Sequence, residues 1–124
     1  MARRLYDAGG WGRLMDTVGG WIGEERYFYI NLLLRPLSPN AQALWHYLMY
    51  RANGAFWQFP IYLRTAEIIG AVGLSRSSFI RARQELLDSE YICCSEKRGK
   101  PTGYALMSNI RYGCLMQPRR KREE

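Results

Sequence analysis

One tight turn between two short helical patterns constrains this chain more than any other feature. Thr65 to Val72 reads as a short helix with Ala66, Ile69 and Val72 on its apolar face and Ile68 beside it. Gly73 follows, able to adopt the positive φ that lets two helices cross sharply within a few residues. Leu74 is placed to bury itself under that crossing. Ser75 is an N-cap for a second helix running to about Asp88, with Phe79, Ala82 and Leu86 on its inner face. The opposite face of that helix then offers Arg76, Ser77, Ser78, Arg81 and Gln84 to its surroundings.

The flanking segments place this turn in a larger order. Upstream, Ser38-Pro39 starts a helix, with Ser38 as N-cap and Pro39 in the first turn. Ala41, Leu44, Trp45, Leu48 and Ala52 follow at helical spacing, and Asn53-Gly54 is expected to end that helix. Phe59 to Leu63 reads as a short strand, and Pro60 fits an edge position. Downstream, Tyr91 to Ser95 and Gly103 to Met107 are two β segments joined by the charged tip Glu96-Lys97-Arg98-Gly99-Lys100-Pro101-Thr102. The order is helix, strand, helix, tight turn, helix, hairpin. It predicts an α+β fold, mostly α: a winged helix-turn-helix with a three-helix core and a C-terminal β-hairpin wing.

Before residue 38 the pattern is less regular. Trp11, Leu14, Met15, Val18, Trp21 and Ile22 recur at helix-like intervals, but glycine pairs flank them. Two readings stay open: a short amphipathic helix docking on the domain or on a second copy, or a loosely ordered leader. The β-propensity of Tyr27, Phe28, Tyr29 and Ile30 predicts an extended segment over Arg26 to Leu34. These readings divide the chain into a leader (1–23), a winged helix-turn-helix domain (24–110) and a basic tail (111–124).

Charge narrows the partner. Eighteen Lys and Arg against eleven acids give a net charge of +7, which favours a polyanion such as nucleic acid or an acidic membrane surface. No run reaches the roughly 18–20 apolar residues of a membrane span, so no membrane partner is expected. The first residues also lack the apolar stretch of a secretion signal. The helix-turn-helix face then points to double-stranded DNA, with Ser75, Arg76, Ser77, Ser78, Arg81 and Gln84 in the major groove. Ser75 and the first-turn amides would favour a phosphate. Lys97, Arg98 and Lys100 surround Gly99, where a hairpin would lay them along the backbone or minor groove.

At these residues the chain resembles a known family. The stretches LSPNAQALWHYLMYRANG and FPIYLRTAEIIGAVGLSRSSFIRARQELLDSEYI, with a wing ending in GYAL, are similar to the N-terminal winged-helix domain of DnaD-like and phage replisome-organiser proteins. The resemblance covers Ala41 to Met107, a little over half the chain. It implies a role in DNA replication initiation at a phage, prophage or plasmid-type origin, in a bacterial, nucleoid-associated, cytoplasmic setting, with replication proteins as further partners. Two positions depart from the family pattern: Arg83 stands where a leucine is common, and Ile80 where a polar residue is common. A slight rotation of the helix, packing Ile80 and turning Arg83 outward, would accommodate both. The family's second helical domain has no counterpart here, so its activities are not implied.

Plainer readings stand beside these. The arginines of the second helix could form a solvated face with local pairs such as Arg81 to Glu85. A transcriptional regulator uses the same architecture, and a winged helix can serve purely as a protein-interaction or dimerisation module. The aromatic N-terminal third keeps open a homodimer through the N-terminal segment. The aromatics Trp45, Tyr47, Tyr50, Phe56 and Trp57 could stack single-stranded bases, though their spacing favours core packing. No enzyme is expected: His46 is the only histidine, and no nucleophile–base pair stands out. Neither a metal nor another cofactor is expected. Cys93 and Cys94 are adjacent and would face opposite sides of a strand, which favours reduced thiols in a reducing compartment.

Overall fold

Proline 39 and Ser38 set the first well-defined helix start. In the computed structural model, which describes residues 20–109, Ser38 is extended and its Oγ accepts from the Ala41 amide at 3.2 Å. Among the described residues four helices and three strands follow one another: α1 (Gly20–Asn31), α2 (Pro39–Gly54), β1 (Ile61–Leu63), α3 (Thr65–Val72), α4 (Arg76–Asp88), β2 (Ile92–Ser95) and β3 (Thr102–Leu106). The strands form one antiparallel sheet in the order β1-β3-β2, so β1 lies at an edge, as Pro60 foreshadowed. Ile61 pairs with Tyr104, and Cys94 pairs with the same Tyr104 from the other side. The fold is α+β, mostly helical, and compatible with the winged-helix expectation.

The core forms where the helices meet the sheet. Leu44, Trp45 and Leu48 of α2, Ile68 of α3, Phe79, Ala82 and Leu86 of α4, and Tyr104 and Leu106 of β3 are all buried. At about 25 cal/mol per Å² of apolar surface, this shared burial is the main favourable term for the fold. Gly103 pairs with Tyr62 of β1, and a Cβ there would sit 3.1 Å from Tyr62 Cε1 and 3.3 Å from Pro60 Cβ, so those neighbours would have to give by a few tenths of an ångström.

The segment ahead of Ser38 departs from expectation. The extended segment over Arg26 to Leu34 is instead mostly helix, because α1 runs to Asn31 and a turn continues it, with Leu33 N donating to Ile30 O at 3.1 Å. The boundary drawn after residue 23 therefore falls inside α1. Among the described side chains of α1, Glu24, Phe28 and Asn31 are buried at helical spacing, and Glu24 and Asn31 are polar. Glu24 accepts from Ser108 Oγ at 2.7 Å and from Asn109 N at 2.6 Å, and Asn31 Nδ2 donates to Asn109 Oδ1 at 2.9 Å. Polar partners supplied by the far end of the fold thus outweigh the local β-propensity of the aromatics.

α2 ends at Gly54, where Asn53-Gly54 was expected to end it. The left-handed turn falls to Phe56 (φ 54°) and Trp57 (φ 58°) in succession. This bend lets Trp57 N reach Ala52 O at 2.9 Å and sends the Trp57 indole into the core, while Phe56 is left 80% exposed. On α3, Ile68 is the fully buried residue, while Ile69 and Val72 are partly buried and Ala66 faces outward. The leader readings for residues 11–18 and the basic tail lie outside the described residues.

Candidate nucleic-acid interface

The turn ahead of α4 forms as its sequence demands. Gly73 adopts φ 82°, and its amide closes α3 by donating to Ile69 O at 2.9 Å. Leu74 is partly buried against the core, and Ser75 caps α4 by accepting from the Ser78 amide at 3.1 Å. With Phe79, Ala82 and Leu86 buried, helical geometry turns Ser77, Arg81 and Gln84 to the opposite side. Ser75, Arg76, Ser77, Arg81 and Gln84 are exposed, and Ser78 is half-buried. Gln84 Nε2 donates to Asp88 Oδ1 at 2.9 Å, so its amide is engaged along the helix.

The hairpin tip carries the second set. Lys97, Arg98 and Lys100 are exposed around Gly99, which takes φ 74°, and Lys100 N donates to Lys97 O at 3.0 Å. Three cations thus share one short turn.

Arg83 joins the two sets, in a role the sequence reading missed. The expected rotation is overturned: Ile80 is the exposed residue, at 47%, and Arg83 turns inward. The Arg83 side chain is 19% exposed, and its Nη2 lies 3.3 Å from Glu96 Oε2 while its Nη1 donates to Tyr104 OH at 3.3 Å. Its guanidinium also covers the Phe79 ring at 5.1 Å. Burial opposes the charge, but the Tyr104 hydroxyl and nearby groups outweigh it and raise the Arg83 pKa above its ordinary value. Arg83 therefore braces α4 against both β3 and the base of the tip. Its place one residue after Ala82, on the flank of the buried stripe, was the signal available in the sequence.

The local pair Arg81 to Glu85 does not form. Glu85 instead caps α2 from across the core, accepting from Ser38 N at 2.9 Å and Ser38 Oγ at 2.7 Å. This leaves the Glu85 carboxylate one turn ahead of Arg81 engaged with Ser38 rather than with the arginine. A parallel tie runs from Arg35, whose Nη1 donates to Ser89 O at 2.6 Å and whose guanidinium lies 4.3 Å over the Tyr91 ring.

The aromatic stacking surface breaks apart: Trp45 and Trp57 are core residues, and only Tyr50 and Phe56 of the five stand well exposed. His46 sits at the core edge, its Nε2 3.3 Å from Glu25 Oε2 and its Nδ1 3.0 Å from Gln42 O. Among the described residues no group of three or more His, Cys, Asp or Glu side chains could hold a metal ion, and no helix is long and apolar enough to cross a membrane. Set beside known proteins, the chain matches no family model, and neither a curated protein nor a solved structure matches it.

Proposed function

We propose that this is a winged helix-turn-helix protein that binds double-stranded DNA, with α4 in the major groove and the Lys97–Lys100 tip on the backbone. The observation that carries the reading is the division of α4. One side is buried core; the other is mostly polar and cationic, with Arg76 and Arg81 exposed around the lone apolar Ile80 and Glu85 drawn away to Ser38. A cationic hairpin tip, braced to the same helix through Arg83, is the companion such a helix needs on a phosphate backbone. Phosphates would meet Arg76, Arg81, Lys97, Arg98 and Lys100, and Ser75, Ser77 and Ser78 would add hydroxyl contacts. By resemblance, the task is initiation of phage, prophage or plasmid-type replication in a bacterial cytoplasm. A transcriptional regulator would read DNA through the same surface.

Fluorescence anisotropy with a random duplex of 30 base pairs tests this. If five cations meet phosphates, log K should fall with log salt at a slope of about −4 to −5. The Arg81→Glu/Lys97→Glu variant should lose binding while keeping its far-UV circular dichroism. No binding by the native chain at low salt would overturn the reading.

A further inference from the structure

Ten large apolar side chains stand exposed among the described residues, and six of them lie between Ile22 and Leu34. That concentration is not explained by the DNA reading, whose surface is α4 and the hairpin. Taking Glu24, Phe28 and Asn31 as the inward side of α1, helical geometry puts Ile22, Arg26 and Tyr29 on the outward side, and Leu33 follows, exposed, in the turn that continues the helix. Ile22 is 52% exposed, Tyr29 50% and Leu33 84%. Their spacing of four, three and four residues is that of a coiled-coil seam.

The stripe is also symmetric about its middle. Ile22 lies as far before the Tyr27–Phe28 bond as Leu33 lies after it, and Arg26 mirrors Tyr29 in the same way. A two-fold axis through that point sets each residue against its mirror partner, as an isologous interface requires. Ile22 then meets Leu33 of the second copy. Arg26 meets the Tyr29 ring of the second copy, a cation–π contact made twice, and no like charges oppose. Ile22, Tyr29 and Leu33, with Ile30 on the flank of the stripe, expose on the order of 450 Å² per protomer, about the apolar share of the roughly 800 Å² that each partner buries in a standard interface.

We propose that the outward face of α1 is a self-association surface whose occupant is the α1 of a second copy of this chain, packed antiparallel about a two-fold axis. The proposal stands apart from the DNA reading, because it is measured without nucleic acid.

Sedimentation velocity of the full chain over about 5–500 μM tests it, with two substitutions at one half-exposed position. Tyr29→Arg sets arginine against Arg26 of the second copy and should weaken the dimer at least tenfold. Tyr29→Glu sets a carboxylate against Arg26 and should keep the dimer in low salt and lose it in high salt. Far-UV circular dichroism and the thermal midpoint confirm that both variants fold. A native chain that stays monomeric throughout overturns the proposal and assigns the face to another occupant. Equal weakening by the two substitutions overturns the antiparallel pairing.

Discussion

Single side chains in this fold do their work by reaching between elements, and Cys94 shows what that does to a titrating group. Burial, only partly offset by the Arg83 charge, pushes its thiol up to about 11 from an ordinary 9.0. Burial likewise raises Tyr104 and Tyr91 above the ordinary phenol value. A group whose folded pKa is raised holds its proton longer in the folded state. Its contribution is therefore complete below the unfolded pKa and lost as pH rises through the folded one. The stability of the chain should fall between about pH 9 and 11, and Cys94→Ala should flatten that fall when urea midpoints are compared across the range. Cys93 contrasts with it, being exposed with its Sγ 3.6 Å from Met107 Sδ.

Elements, by contrast, stand on a few backbone positions. Nothing lies within 4 Å of a Cβ built on Gly73, so crowding plays no part there; the φ of 82° alone demands glycine. Gly73→Ala should cost about 1–2 kcal/mol in chemical denaturation, and Gly73→Asn clearly less, because asparagine tolerates the left-handed region. This turn, α4 and the hairpin were legible in the sequence because each rests on a local rule: a positive φ, a cap, a 3.6-residue stripe, a glycine in a tip. What escaped rests on distant partners. Glu85 looked like a mate for Arg81 until Ser38, 47 residues away, claimed it. Arg83 looked like an outward cation because Tyr104 and Glu96 could not be placed beside it. The face of α4 that the sequence pointed outward is outward, apart from the half-buried Ser78, but Gln84 is occupied by Asp88.

At the scale of the molecule, the first and last described segments are held together. Glu24 in α1 grips Ser108 and Asn109, 84 and 85 residues away, and Asn31 grips Asn109 from the same helix. Glu24→Ala takes away a buried acceptor from Ser108 Oγ and the Asn109 amide, and should cost about 2–4 kcal/mol in urea unfolding. Glu24→Gln, which keeps an acceptor oxygen, should cost less. Hydrogen exchange should show the loss first in the amides of α1, with α4 and the sheet protected, because the core of α2, α4 and β3 does not pass through this contact. The polar latch also explains how a helix with so apolar an outer face is kept in place: its inner side is anchored by hydrogen bonds as well as by Phe28, stacked on Trp45 at 3.8 Å.

The same latch has a mechanical consequence. Tension applied at the two ends of the described fold would be carried first by the contacts of Glu24 and Asn31 with Asn109, and only after they part by the core. The turn ahead of α4 lies off that line of force, whereas β3, which ends three residues before Asn109, takes the load next, so the molecule opens first at the α1 pole.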